Sequence, residues 1–168
     1  MLNKIFEQEE YVKTLIVQLK KIKKIKEPER SVEVYEGKNG LKALFTELSL
    51  AKEMCFFGVT GRSYEVLRWE MPKIAERVLK LDIKGRGIAD IKMKEKLFPK
   101  IKNLLENKFE IRYLPHVESH ATSTAITPQM VAISCLAEEI PLVVIIKEKS
   151  MAKTYKNYFE CLWDRALV

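Results

Sequence analysis

Histidine, cysteine, tryptophan and glycine are scarce in this chain, with two, three, two and six copies in 168 residues. Cys55, Cys135 and Cys161 lie far apart inside apolar patterns and form no Cys-x-x-Cys pair. They read as buried hydrophobes of a reducing compartment. His116 and His120 are the only imidazoles, and Glu118 between them is their one acidic neighbour at ligand spacing. No metal site and no cofactor is expected from such a set. No apolar run approaches the roughly 20 residues of a bilayer span, and the start lacks the basic, apolar and small-residue succession of a signal peptide. A cytoplasmic location without membrane contact is therefore expected.

Charge of one sign is present in excess. The net charge is +7, carried by lysines scattered over helical faces and one dense run at residues 20–26. No aromatic residue interleaves with that run, and neither a helix-turn-helix nor a zinc-finger pattern is visible, so it reads as a solvated helix face. A composition of 47% hydrophobic and 32% charged residues fits a globular protein. The length suits one domain that buries roughly two thirds of its unfolded surface, plus an appendage.

Residues 3–26 contain neither Gly nor Pro and read as a long helix ended by Glu27-Pro28. Ile5, Val12 and Leu19 recur every seven residues, and Leu15 and Ile22 fill the intermediate positions. That spacing is close to a heptad seam, and because the helix precedes a Pro-containing junction at 26–31, a dimerising helix is favoured over one packed on its own domain. The expected division is therefore a helical linker at 1–30 and a folded domain at 31–168.

Three strand-then-helix units follow. Residues 31–36 alternate as a strand before a helix over 41–52, with Leu41, Leu44, Phe45, Leu48 and Ala51 on one face. Residues 54–59 form a strand apolar enough to be central, and a helix over 64–81 follows it. Residues 83–91 hold a strand interrupted by Gly85 and Gly87, with an amphipathic helix over 94–107. Helices between successive strands imply parallel pairing. The runs at 121–127, 130–136 and 142–146 are separated by Pro-containing turns at hairpin spacing and should pair antiparallel. The last run is apolar throughout, which implies burial on both faces. A final helix over 150–166, capped by Ser150, would present Met151, Tyr155, Tyr158, Phe159, Leu162, Trp163 and Ala166 to the core.

Several of these segments resemble the C-terminal effector domain of archaeal TrmB-like transcription regulators. They are Val32-Glu33-Val34-Tyr35-Glu36-Gly37, the stretch at 109–115, the small-residue strand after His120, and the ending at 153–163. The resemblance covers residues 31–166. It implies an α/β fold: a phospholipase D-like mixed β-sheet flanked by helices, here preceded by a long N-terminal helix. It also implies a homodimer that responds to a small-molecule effector such as a sugar, touching DNA only through a winged-helix module that this chain does not contain.

The phospholipase D pattern is a histidine, a lysine two residues later and an aspartate five after that. Imidazole attacks phosphorus, ammonium neutralises the phosphoryl oxygens and carboxylate orients the site. Laid on His120, it meets Thr122 and Thr127 in place of both charged partners. Binding without cleavage is expected, and no catalytic residue is assigned. Ligands of open α/β sheets lie beyond the carboxyl ends of the parallel strands. The candidate binding residues are thus Gly58, Thr60, Gly61, Arg62 and Ser63 in one loop, and His116, Ser119, His120, Thr122 and Thr124 in another. Two alternatives remain: a divergent phosphodiesterase using His120, and a protein-interaction module with a basic helix.

Overall fold

The computed structural model describes residues 30–59, 61–95, 108–115, 122–137 and 139–167, together with Tyr11, Val12, Thr14 and Leu15. The order is β1 (Ser31–Glu36), α1 (Gly37–Leu48), β2 (Glu53–Val59), α2 (Arg62–Val66), α3 (Met71–Lys80), β3 (Lys84–Asp90), a 3-10 turn (Ile91–Met93), β4 (Phe109–Leu114), β5 (Thr122–Ile126), β6 (Val131–Cys135), β7 (Leu142–Lys147) and α4 (Lys149–Trp163). The strands make one seven-stranded sheet in the order β1-β7-β6-β5-β2-β3-β4.

Strands β2, β3 and β4 pair in parallel, as expected. Strands β5, β6 and β7 form the expected antiparallel meander, and β5 joins it to β2. The first strand departs from expectation. It does not pair with β2 but crosses to the far edge and pairs antiparallel with β7, Val34 opposite Val144. Four antiparallel steps separate β1 from β2, so the two still run in one direction, as a helical crossover demands. With β1 at the edge, Val32 and Val34 are exposed, and β7 is covered fully on one face only. Its expected burial on both faces is corrected to burial of Val143 and Ile145, with Leu142 exposed.

Helices α1 and α3 cover one face of the sheet. Leu41, Leu44, Leu48 and Met71 meet Met54, Ala132, Val143 and Ile145 there. Helix α4 covers the other face, where Phe159 and Trp163 pack on Cys55, Ile88 and Ile126. The glycines of β3 do not end the strand. They make room for aromatic rings, because a Cβ on Gly85 would lie 2.1 Å from the Phe109 ring and one on Gly87 2.1 Å from the Phe56 ring.

Other expectations are revised. The helix over 64–81 is two helices, interrupted at residues 67–70 because Pro72 has no N–H to extend a helix and starts α3. The cap of α4 is Glu148, whose carboxylate accepts from the Ser150 amide at 2.9 Å and its hydroxyl at 2.8 Å. Tyr158 and Met151 face solvent, as does Cys161, so none of the three belongs to the core. The helix over 94–107 lies outside the described residues beyond Lys94 and Glu95, and so does that over 3–26 apart from the four residues named above.

Candidate functional site

The parallel strands β2, β3 and β4 end at one edge of the molecule, where β5 begins and β6 ends. The Gly58 to Ser63 loop leaves β2 there through a register shift between Phe57 and Val59. Gly58 has φ 73°, and a Cβ at this position would lie 2.7 Å from the Thr122 carbonyl oxygen. Only glycine satisfies both conditions, so the bulge of β2 and the start of β5 are locked together. Arg62 ties the same loop to the end of β6 by donating from Nη1 to the Leu136 carbonyl at 2.8 Å. The structure thus brings Gly58, Gly61, Arg62, Ser63, Thr122 and Thr124 together. Thr60, His116, Ser119 and His120 lie outside the described residues.

Two features limit the Gly58 to Ser63 loop as an anion site. The helix that follows Gly61 is five residues long and has no side-chain cap, so its amides offer little as an anion site. Arg62 is committed to the β6 terminus. Thr124 stands opposite Phe57, which packs with the α4 cluster, so Thr122 and Thr124 share the α4 face of β5. The alternate residue, Ser123, points the other way and meets Ser134 of β6 at 2.8 Å between hydroxyl oxygens. Sequence reasoning passed over Ser123, Ser134 and Tyr64. The period of two along 122–126 was the signal that separated Ser123 from Thr122 and Thr124.

The positions corresponding to lysine and aspartate occupy opposite ends of β5. Five residues of extended chain separate Thr122 from Thr127 by about 17 Å. Thr127 is buried, and its hydroxyl accepts from the amides of Gln129 and Met130, each at 3.2 Å. It closes the β5–β6 turn. Among the described residues no group of three His, Cys, Asp or Glu side chains could hold a metal, and no helix is long and apolar enough to cross a membrane.

On the α4 face the polar groups are mutually satisfied. Arg86 forms a two-pronged contact with Glu160 at 3.0 and 2.5 Å, and its guanidinium lies 5.3 Å from the Phe159 ring centre and 5.1 Å from that of Trp163. Arg112 covers Trp163 at 4.4 Å and donates to the Trp163 carbonyl at 3.1 Å. Lys156 donates to the buried Cys55 sulfur at 2.7 Å. The hydrogen bond from Arg86 holds the Glu160 carboxyl below its ordinary range.

The opposite face contains a cavity of about 180 Å³ between α1, α3 and the sheet. Leu44, Phe45, Ile74 and Val78 line its helical side and Phe56 and Ala125 its floor. Ser63, Tyr64, Ser123 and Ser134 also line it, and all four belong to the carboxyl end of the strands. Burial pushes the Tyr64 phenol up to about 12. A broader groove of about 1160 Å³ lies at the amino end of the strands, bounded by Lys52, Lys84, Lys147 and Asp82. It shares no residue with the candidate site.

No family model and no curated protein matches this sequence. Solved structures do match. NucT from Helicobacter pylori superimposes with a TM-score of 0.62 at 12% identity, over 82% of this chain and 98% of that one. Nuc from Salmonella typhimurium, a phospholipase D family member, gives 0.62 and 12% over 82% of this chain and 96% of that one. The fold is therefore phospholipase D-like: a mixed sheet between helices. TrmBL2, an archaeal chromatin protein, matches with a TM-score of 0.58 at 20% identity over 99% of this chain. This chain spans 64% of TrmBL2's length, and the likeness is one of fold.

Proposed function

We propose that this chain is a non-enzymatic ligand-sensing effector module of a TrmB-like transcription regulator, with residues 31–168 as the sensing domain and residues 1–30 as a dimerising linker. The observation that carries the reading is the loss of both charged partners of the phospholipase D pattern. Thr122 and Thr127 replace lysine and aspartate, and the Thr127 hydroxyl is occupied by two turn amides. A neutral hydroxyl cannot supply the charge that a phosphoryl transition state needs, and removing one such group typically lowers the rate ~10² to 10³-fold. The description of TrmBL2 as a chromatin protein with a novel mode of DNA binding supports a role linked to DNA. In this reading DNA is engaged by a winged-helix module outside residues 1–168.

The dimer rests on Ile5, Val12, Leu15, Leu19 and Ile22. Val12 and Leu15 are 51% and 37% exposed, which leaves that part of the stripe open to a second copy. A sugar held by the loop hydroxyls is the effector class that the sequence favours, and its binding would alter how the two subunits are held. The decisive experiment is hydrolysis of bis(p-nitrophenyl) phosphate. No turnover above background is expected. Turnover that disappears in His120→Ala would replace this reading with a divergent phosphodiesterase, which the fold shared with Nuc favours. Sedimentation of the wild type against Leu15→Asp tests the dimer, with loss of the dimeric species expected in the variant.

A further inference from the structure

We infer that the cavity between α1, α3 and the sheet binds a small, neutral, largely apolar molecule that carries one hydroxyl or carbonyl group, such as a phenol or a cyclic alcohol. The inference rests on the ligand-sensing reading and replaces the sugar with another chemical class.

Size is the first argument. The cavity measures about 180 Å³. A dry apolar cavity of about 150 Å³ admits benzene. The space therefore takes roughly 7 to 10 heavy atoms, too few for a disaccharide.

Lining chemistry is the second. The helical wall and the floor are apolar apart from Ser49, and among the described residues no Lys, Arg, His, Asp or Glu contributes to the lining. A monosaccharide would bring several hydroxyls against this surface. Each hydroxyl left without a partner lowers affinity roughly 5- to 150-fold. A charged head would likewise meet no counter-ion.

Placement is the third. Ser123 and Ser134 are joined at 2.8 Å, and each hydroxyl has one donor and two acceptor positions. One bond between them leaves the pair one donor and three acceptor positions, so it can donate once to a polar head at the carboxyl end, next to Ser63. This end of the cavity lies beside the Gly58 to Ser63 loop, which Arg62 pins to β6. A ligand that fills this end bears directly on the loop and on β6, which gives binding a route to the surface.

The test is a thermal-melting series on the 168-residue chain with p-cresol, cyclohexanol and toluene, against glucose, maltose, glucose 6-phosphate and inorganic phosphate. Near a hundred times its dissociation constant, p-cresol is expected to raise the midpoint by about 5 to 10 °C. Ala75→Leu and, separately, Ala125→Val fill the cavity. Each should abolish the p-cresol shift, and two positions keep the test decisive if one variant folds poorly. Removing both hydroxyls in Ser123→Ala with Ser134→Ala should weaken p-cresol about 5- to 10-fold relative to toluene. A p-cresol shift that survives both filling variants overturns the inference, because the molecule then binds elsewhere. A shift with a sugar or phosphate alone, lost in Arg62→Ala, overturns the cavity ligand and keeps the sensing role. A flat panel overturns both.

Discussion

Glu160 and Tyr64 stand on opposite faces of one sheet, and their titrations are displaced for different reasons. Glu160 is held low first by its hydrogen bond from Arg86, with Lys156 adding to it. Tyr64 is pushed up to about 12 by burial alone. The same contrast runs through the packing. Under α4, Phe159 and Trp163 pack with rings 5.4 Å apart and arginines above them, and the pocket of about 260 Å³ on that face is bordered by Glu53, Lys153 and Lys156, whereas the cavity of about 180 Å³ under α1 and α3 has no charged residue among its described lining. A space rimmed by charged side chains has little to offer an apolar ligand. A face that keeps unfilled apolar volume next to hydroxyls retains that capacity, at the cost of dispersion contacts its lining does not make.

The largest effect that sharpens this contrast is expected from Phe159→Ala. Phe159 is fully buried beneath α4, so losing its ring should cost about 3–5 kcal/mol in chemical denaturation. A cost below that of an equivalent truncation on the cavity wall would break the comparison. Next is the alkaline limb of stability. The Tyr64 phenol is favoured neutral in the folded state, so its contribution is complete below the ordinary value of 10.0 and declines as the pH rises to about 12. Tyr64→Phe should flatten that limb by roughly 2 kcal/mol, read from denaturant melts between these limits. Ile74→Ala, at a half-buried wall position, should cost about 1–2 kcal/mol, because fewer contacts are lost there than around Phe159.

Thr127→Ala should also cost about 1–2 kcal/mol, since two turn amides lose their acceptor, and Thr127→Asp should restore most of it. The smallest effect belongs to Glu160. Its folded-state value is depressed, so the stability it confers is present above about 4.5 and is lost as the pH falls further. Arg86 and Glu160 are each about one-third exposed and screened by solvent, so Glu160→Gln should change stability by under about 1 kcal/mol at neutral pH and shallow the acid limb.

Much of the sheet was legible from local pattern. Alternation along 122–126 and 131–135, with prolines in the turns, identified the meander, and the helices following β2 and β3 identified the parallel half. The neighbour of β1 was not legible. Alternation marks residues 31–36 as a strand but contains nothing about which edge they join, and pairing with β7 spans more than a hundred residues. The break before α3 is marked in the sequence by Pro72, which has no N–H to continue a helix. Met151, Tyr158 and Cys161 had core-like residue types, but a single covering helix buries only one of its sides.

The candidate site divides in the same way. The sequence alone assigned the glycine-bearing loop and the β5 entrance to one end of the sheet, because strand direction and exit loops follow from chain order. With the phospholipase D pattern laid on His120, it also put Thr122 and Thr127 at the positions of lysine and aspartate. Tertiary structure alone decided that Thr127 serves a turn, that Arg62 holds the end of β6, and that Ser123 and Ser134 meet. It alone made the cavity, whose walls come from two helices and the sheet brought together by packing. A motif is a property of neighbouring residues along the chain, whereas a cavity is a property of surfaces that touch only after folding.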